Sequence, residues 1–348
     1  MTPISNSMAE SREQHPPEPG TRDRILIAGL GRTGLDYACA FALHPGAEVA
    51  GFVEARSDLR RFARTAGFAA PAEPTLSRWL EKRPADTLVV CAPAAEAAEM
   101  VEKGVNAGLA ILVHGLAAMP REAVDRIEKA MSLCDRPVAA GSAVLFQATF
   151  ARARRTGALS PHGLEQVRAS ASVSRVFSTN AARGRDVVDF LLTDLLLLLD
   201  ASFGPMTHVR ARGQSLYGDG LDECQVEAKF AVGLSAKVEA SWSVPGYPGA
   251  AMVIEGSGPQ GRVIVSDDAL EMDLASLQGR VVAASEPSFA RSEGGEAPAV
   301  VEGWLRALSG DAVSAEALSV TRALRVARVV DAARQSISAD GVECEVLS

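Results

Sequence analysis

The residues of clearest chemical meaning in this 348-residue chain are Gly29-Leu30-Gly31-Arg32-Thr33-Gly34 and, 20 positions past the last glycine, Glu54. A short apolar run, Arg24 to Ala28, leads into the glycines, and good helix formers from Leu35 to Leu43 follow them. Gly29 permits a tight turn off a strand, Gly31 lets the backbone approach a pyrophosphate, and Gly34 lets the helix lie close on the sheet. The phosphates then meet the free amides and the positive dipole end of the helix, with Arg32 and Thr33 in its first turn. An acid closing the second strand, Ala47 to Val53, can hydrogen-bond both ribose hydroxyls of an adenosine. Glu54 holds that place and repels a 2'-phosphate, which favours NAD over NADP. Arg56, two residues on, can pair with that phosphate and reverse the preference, so NADP stays open.

The elements that position these residues continue the alternation. Helices are predicted over Ser57–Ala66 and Leu76–Lys82, then a strand, Thr87–Ala92, closed by Pro93. A helix at Ala95–Ala107, a strand at Ala110–Val113, a helix at Arg121–Cys134 and a strand at Val138–Ala140 complete the set. Strands alternating with helices imply a parallel, doubly wound sheet. Ligands of such sheets bind outside the carboxyl ends of the strands, where Gly29, Glu54, Ala92-Pro93 and His114 fall. His114 is one of only five histidines and titrates near neutral pH, so it is a candidate acid or base. A strand-end histidine that is bonded to backbone, or that lines the cleft, is the plainer alternative.

The second half has another texture. Leu164–Val173 alternates, Asp186–Ala201 is a leucine-rich helix, and strands are predicted over 206–214, 222–232, 235–243, 250–256, 261–266 and 279–284. Gln225, Glu227 and Lys229 alternate with Val226, Ala228 and Phe230, the pattern of an antiparallel sheet with one solvated face. Two helices, Ala299–Leu308 and Ala315–Ile337, follow. The fold class is thus α/β: an N-terminal Rossmann domain over 24–145 and an α+β domain over 146–348, the final helices able to pack back on the first. Residues 1–23, with four prolines and no apolar run, are expected to be a disordered leader.

From Arg24 onward the chain resembles the GFO/IDH/MocA family of oxidoreductases. The likeness rests on the opening fingerprint, on Ala92-Pro93, on Asn106-Ala-Gly-Leu-Ala-Ile-Leu112, on Gly184 to Asp194 and on the tail from Ala315 to Val346. It implies a nicotinamide-dependent reaction on a sugar-like or other small hydroxyl or carbonyl substrate. The open sheet, through its uncovered face, suggests a homodimer or homotetramer. The family's catalytic lysine, in a Glu-Lys-Pro triplet, is matched here by Gly115 within His114-Gly115-Leu116. The family's later motif sets an aspartate four residues before a histidine, and here Asp189 is followed by Thr193. Both proton-handling residues are replaced, and a positioned acid or base contributes about a hundredfold to ten-thousandfold in rate.

Substitutes are few. Lys82, Lys103 and Lys129 fall on helices and Lys229 and Lys237 on sheet strands, which leaves His114 and Asp189 as catalytic candidates. Arg183 and Arg185 can pair with Asp189 or hold an anionic group, or form a solvated helix start. Tyr247 sits in Pro-Gly-Tyr-Pro-Gly, first of all a turn. Two readings follow: an NAD(P)-dependent oxidoreductase with an atypical site, or a redox-inactive nucleotide-binding sensor or interaction subunit.

Composition narrows the rest. A net charge of -8, from 43 acidic and 35 basic residues, offers no field for nucleic acid or an anionic membrane. Five scattered cysteines without a CxxC pair suit a reducing, cytoplasmic setting. No spacing suggests a metal site, and Val187–Leu199, broken by Asp189, Thr193 and Asp194, is too short to span a bilayer.

Overall fold

The structure, a computed structural model, describes residues 22–173, 186–217, 220–242, 251–259, 261–267, 269–274, 279–284 and 297–346. Arg183, Arg185, Tyr247 and nearly all of the expected leader lie outside the described residues.

The first half is built of β1 (Asp23–Ala28), α1 (Arg32–Leu43), β2 (Ala47–Val53), α2 (Ser57–Thr65), β3 (Ala72–Glu73), α3 (Leu76–Leu80), β4 (Thr87–Val90), α4 (Ala94–Asn106), β5 (Ala110–His114), α5 (Arg121–Met131) and β6 (Val138–Gly141). Its six strands lie in the order β3-β2-β1-β4-β5-β6, all parallel. Helices cover both faces, so Ile25 to Ala28, Leu88 to Val90 and Ile111 to Val113 are completely buried and the strands read as continuous apolar runs. The order reverses between β1 and β4, where β1 pairs with both β2 and β4, and this opens a crevice at the carboxyl edge.

The second half holds α6 (Ala148–Arg155), β7 (Gln166–Ser172), a single π-turn at Val188–Leu192 running into α7 (Thr193–Phe203), β8 (Met206–Gln214), β9 (Glu223–Phe230), β10 (Ser235–Ser241), β11 (Ala251–Gly258), β12 (Gly261–Ser266), β13 (Ala269–Leu274), β14 (Gly279–Ala284), α8 (Ala297–Leu308), α9 (Ala312–Ala317), α10 (Val320–Ser338) and β15 (Cys344–Glu345). Nine strands form one sheet, ordered β14-β13-β12-β11-β7-β10-β9-β8-β15, antiparallel except where β7 runs alongside β10. The leucine helix is buried on every side, Leu195 to Leu199 being at most 4% exposed, and it forms core rather than a surface groove.

Three sequence expectations are corrected. β13 was not foreseen. The helix expected over Ala315–Ile337 is two, α9 and α10, each capped by a side chain: Asp311 accepts from the Ser314 amide and Ser319 from the Arg322 amide. Between them the Leu318 carbonyl accepts the amide of Ala140 at 3.0 Å, so pairing to the β6 edge interrupts the helix. The helix expected from Asp186 begins with a π-turn, in which the Thr193 hydroxyl donates to the Val188 carbonyl at 2.8 Å.

Candidate functional site

Each glycine at the β1–α1 turn has its own steric reason. Gly29 has φ +94, and a Cβ there would lie 2.7 Å from the Cys91 carbonyl oxygen at the end of β4. A Cβ on Gly34 would lie 1.8 Å from the Gly29 carbonyl oxygen. Gly31 differs: its backbone is extended, at φ -64 and ψ -178, and a Cβ there meets nothing within 4 Å. Protein packing therefore does not demand a glycine at 31. α1 carries no acid in its first turn, so no carboxylate of its own opposes the amide end that faces the space in front of Gly31.

Glu54 ties the turn to the second strand. Its Oε2 accepts from the Leu30 amide at 2.8 Å and its Oε1 from the Arg56 amide at 2.9 Å, while the Leu30 side chain is buried in the core. Arg60 donates to the Glu54 and Ala55 carbonyls at 2.5 and 2.6 Å and fixes the strand end. The guanidinium of Arg56 is held by Asp58, with Nη2 2.6 Å and Nε 3.3 Å from its carboxylate oxygens. That hydrogen bond raises the arginine's pKa and lowers the aspartate's, so both stay charged and engaged with one another.

A single cavity of about 960 Å³ runs from this point across the carboxyl edge of the sheet. Gly29, Gly31, Arg32, Thr33, Glu54, Arg56, Ala92 and Pro93 line one end; His114, Gly115, Ser142, Asp189, Thr193, Asp194 and Arg322 line the other. Leu30 and Gly34 contribute backbone geometry and do not line it. Cys91 also borders the cavity, and burial, aided by the nearby Asp36 carboxylate, pushes its thiol far above the ordinary range and keeps it neutral.

His114 ends β5, half-buried, opposite Gly141 of β6. Its Nδ1 lies 3.4 Å from the hydroxyl of Tyr37, a buried residue of α1 whose ring meets the imidazole edge-on at 5.7 Å. Gly115 follows with φ +69, a left-handed conformation that an L side chain occupies at a cost of about 1–2 kcal/mol.

Asp189 pairs with Arg334 of α10 at 2.7 Å, and Asp186 takes the same guanidinium through two bonds, 2.8 and 3.0 Å. Burial works to lower the Arg334 pKa, but the two carboxylates more than reverse it. Thr193 is 5% exposed and spends its hydroxyl on the π-turn. Arg322 is buried against Asp200, Nε 3.5 Å from Oδ1, and donates to the Glu316 carbonyl and carboxylate. Sequence reasoning missed Tyr37, Arg322 and Arg334. The one available signal was a tyrosine on the otherwise apolar face of α1. Among the described residues, no cluster of three or more His, Cys, Asp or Glu side chains could hold a metal ion. No described helix is long and apolar enough to cross a membrane.

No family profile and no curated protein matches the sequence. Solved structures do match its fold. An oxidoreductase from Agrobacterium radiobacter in complex with NAD+, L-tartaric acid and magnesium aligns with a TM-score of 0.77 at 17% identity, over 94% of this chain and 99% of that one. The WlbA dehydrogenase from Bordetella pertussis, in complex with NADH and UDP-GlcNAcA, aligns at 0.76 and 19% identity over 94% and 99%. A levoglucosan dehydrogenase in complex with NADH and L-sorbose aligns at 0.75 and 17%, over 94% and 100%. At these identities the likeness establishes the architecture: a Rossmann unit followed by an open-sheet unit, the class to which this chain's fold belongs.

Proposed function

We propose that this protein is an NAD-dependent oxidoreductase of GFO/IDH/MocA type with a substituted catalytic centre, acting on a small hydroxyl or carbonyl compound. The observation that carries the reading is the empty space in front of Gly31, bounded by the α1 amides at one side and the Glu54 carboxylate at the other. A pyrophosphate fits the first and an adenosine ribose the second. Glu54, together with the Asp58 clamp on Arg56, favours NAD over NADP. Residues 24–145 serve as the dinucleotide unit; 146–348 serve as the substrate and oligomerisation unit of a homodimer or homotetramer in the cytoplasm.

A nicotinamide bound here supplies the hydride acceptor or donor. The chain's own residues must then manage the proton. His114 is the titratable side chain at the carboxyl end of β5, on the cavity wall where the family has its lysine one residue later. It takes the alcohol proton in one direction and returns it in the other. Asp189, fixed by Arg334, acts as a constant negative charge on the same cavity wall rather than as a moving base. The leucine helix and α10 wall the substrate side.

The test is a fluorescence titration with NADH and then NADPH, followed by a screen of polyols, sugars and hydroxy acids. The expected result is NADH binding in preference to NADPH. His114→Ala should abolish turnover while NADH affinity stays within a few-fold. The structural use of Thr193 and Asp189 favours a second reading, a dinucleotide-binding sensor without redox chemistry. NADH binding that changes oligomerisation, with no turnover of any compound, would select it. Failure to bind either dinucleotide would end both.

A further inference from the structure

α1 carries a hydroxyl into the packed interface between the dinucleotide helix and the sheet. Tyr37 is 2% exposed, and its phenol reaches His114 across β5 and β6. Residue 141, directly beside His114 in the β5–β6 register, is a glycine, and a Cβ there would stand 2.6 Å from the Tyr37 oxygen. Three elements thus meet around one hydroxyl: α1 supplies it, β6 leaves room for it, and β5 presents an imidazole nitrogen to it. A buried phenol of this kind requires a hydrogen-bond partner, and a hydroxyl can accept as well as donate.

We propose that Tyr37 is a positioning residue for His114, its oxygen accepting Nδ1–H so that Nε2 is the nitrogen that exchanges a proton with substrate. The inference rests on the oxidoreductase reading for its use, but the tie itself does not. In alcohol oxidation the substrate C–H leaves as hydride to the oxidised nicotinamide dinucleotide. The O–H proton goes to Nε2, and the C–O bond becomes a carbonyl. Nδ1–H keeps donating to the Tyr37 oxygen in both the neutral and the charged imidazole, so the ring need not turn between half-reactions. The bond is stronger to the charged ring, and the arrangement therefore raises the histidine pKa. If the hydroxyl instead donated to Nδ1, it would lower that pKa.

The test follows the sign. Tyr37→Phe removes the hydroxyl and keeps the ring, and Gly141→Ala presses on the hydroxyl from the other side. Histidine-labelled protein, titrated by ¹⁵N NMR with and without NADH and assigned with His114→Gln, reports the His114 tautomer and midpoint directly. Besides Arg32, Glu54 and Arg56 at the dinucleotide end, the other titratable groups around the cavity are Cys91 after β4, Glu96, Glu99 and Lys103 of α4, Asp189 of the π-turn, Asp194 of α7 and Arg322 of α10. Both variants leave all of these in place. The expected outcome is an Nδ1–H tautomer in the parent protein and a His114 midpoint about half a pH unit or more lower in both variants. With a substrate in hand, kcat for alcohol oxidation should fall between about threefold and a hundredfold with its acid limb moved the same way, at unchanged KM for NAD+. An unchanged or raised midpoint would overturn the proposal. A lowered midpoint in a protein that turns over no substrate would leave the tie standing and remove the oxidoreductase reading instead.

Discussion

Replacing Gly31 with alanine should separate cofactor binding from folding. The backbone there, φ -64 and ψ -178, suits any residue, and a Cβ at this position meets nothing within 4 Å. Alanine therefore removes freedom from the unfolded chain without straining the native one, a gain of about 0.4–1 kcal/mol. For a protein of this size that raises Tm by about 0.5–1.5 °C. The same methyl points into the space assigned to the pyrophosphate, where overfilling a close contact costs about 1–3 kcal/mol. NADH should therefore bind about 5-fold to 150-fold more weakly. Gly34→Ala is the opposite control: its Cβ would stand 1.8 Å from a backbone oxygen, and stability should drop by about 3 kcal/mol or more. Thermal melts and NADH titrations on both variants decide the matter. Parental NADH affinity in Gly31→Ala, or a Gly31→Ala that melts earlier while Gly34→Ala does not, would refute the reasoning.

Other outcomes follow from the same geometry. Glu54→Ala removes the acceptor for two backbone amides and for the ribose, so NADH affinity should fall about tenfold or more, and NADPH affinity far less. Paired titrations that found NADPH preferred in the parent protein would contradict the assigned role. Asp200 has a fully buried carboxylate bonded by Arg325 at 2.6 and 3.2 Å. Asp200→Ala strands buried positive charge and should cost about 3–5 kcal/mol, measurable by urea unfolding. Burial and, next, the Asp186 carboxylate push the Cys224 thiol up to about 12 from an ordinary 9.0. The folded state then holds a proton that the unfolded state releases, so this contribution to stability is complete below about pH 9 and declines as the pH rises toward 12. Cys224→Ala should flatten the alkaline limb of a stability profile. Maleimide at pH 8 should label the exposed Cys39 well before Cys224.

The Rossmann half was legible because its strands are buried on both faces. Ile25 to Ala28 and Ile111 to Val113 announce themselves as apolar runs, and the spacing from Gly34 to Glu54 is set by one helix and one strand. β13 was not legible, because Ala-Leu-Glu-Met-Asp-Leu is built from residues of weak strand preference, and pairing with β12 and β14 makes the decision. The break at Leu318 was hidden for a similar reason: the helical period runs through it, and only a distant β6 edge ends the helix. The dinucleotide end of the site is local in sequence and was visible. Tyr37 and His114 are 77 residues apart, and Asp189 and Arg334 are 145 apart. Such pairs are created by topology, and no spacing rule reports them.

The docking of α8 and the Leu318 bridge onto the first half has a consequence for biosynthesis. Val300, Val301, Trp304 and Leu318 share one core with Ile25, Ile27, Tyr37 and Phe41. A ribosome that has delivered the six-stranded sheet has therefore not yet delivered the residues that complete the cover of one of its faces and cap its β6 edge. Until the last fifty or so positions emerge, the nascent sheet presents apolar surface and an unpaired strand, the combination that invites self-association. Maturation of the dinucleotide cleft is thus a late event, and chains stopped short of Ala297 should depend on chaperones far more than the length of their intact Rossmann sequence would suggest.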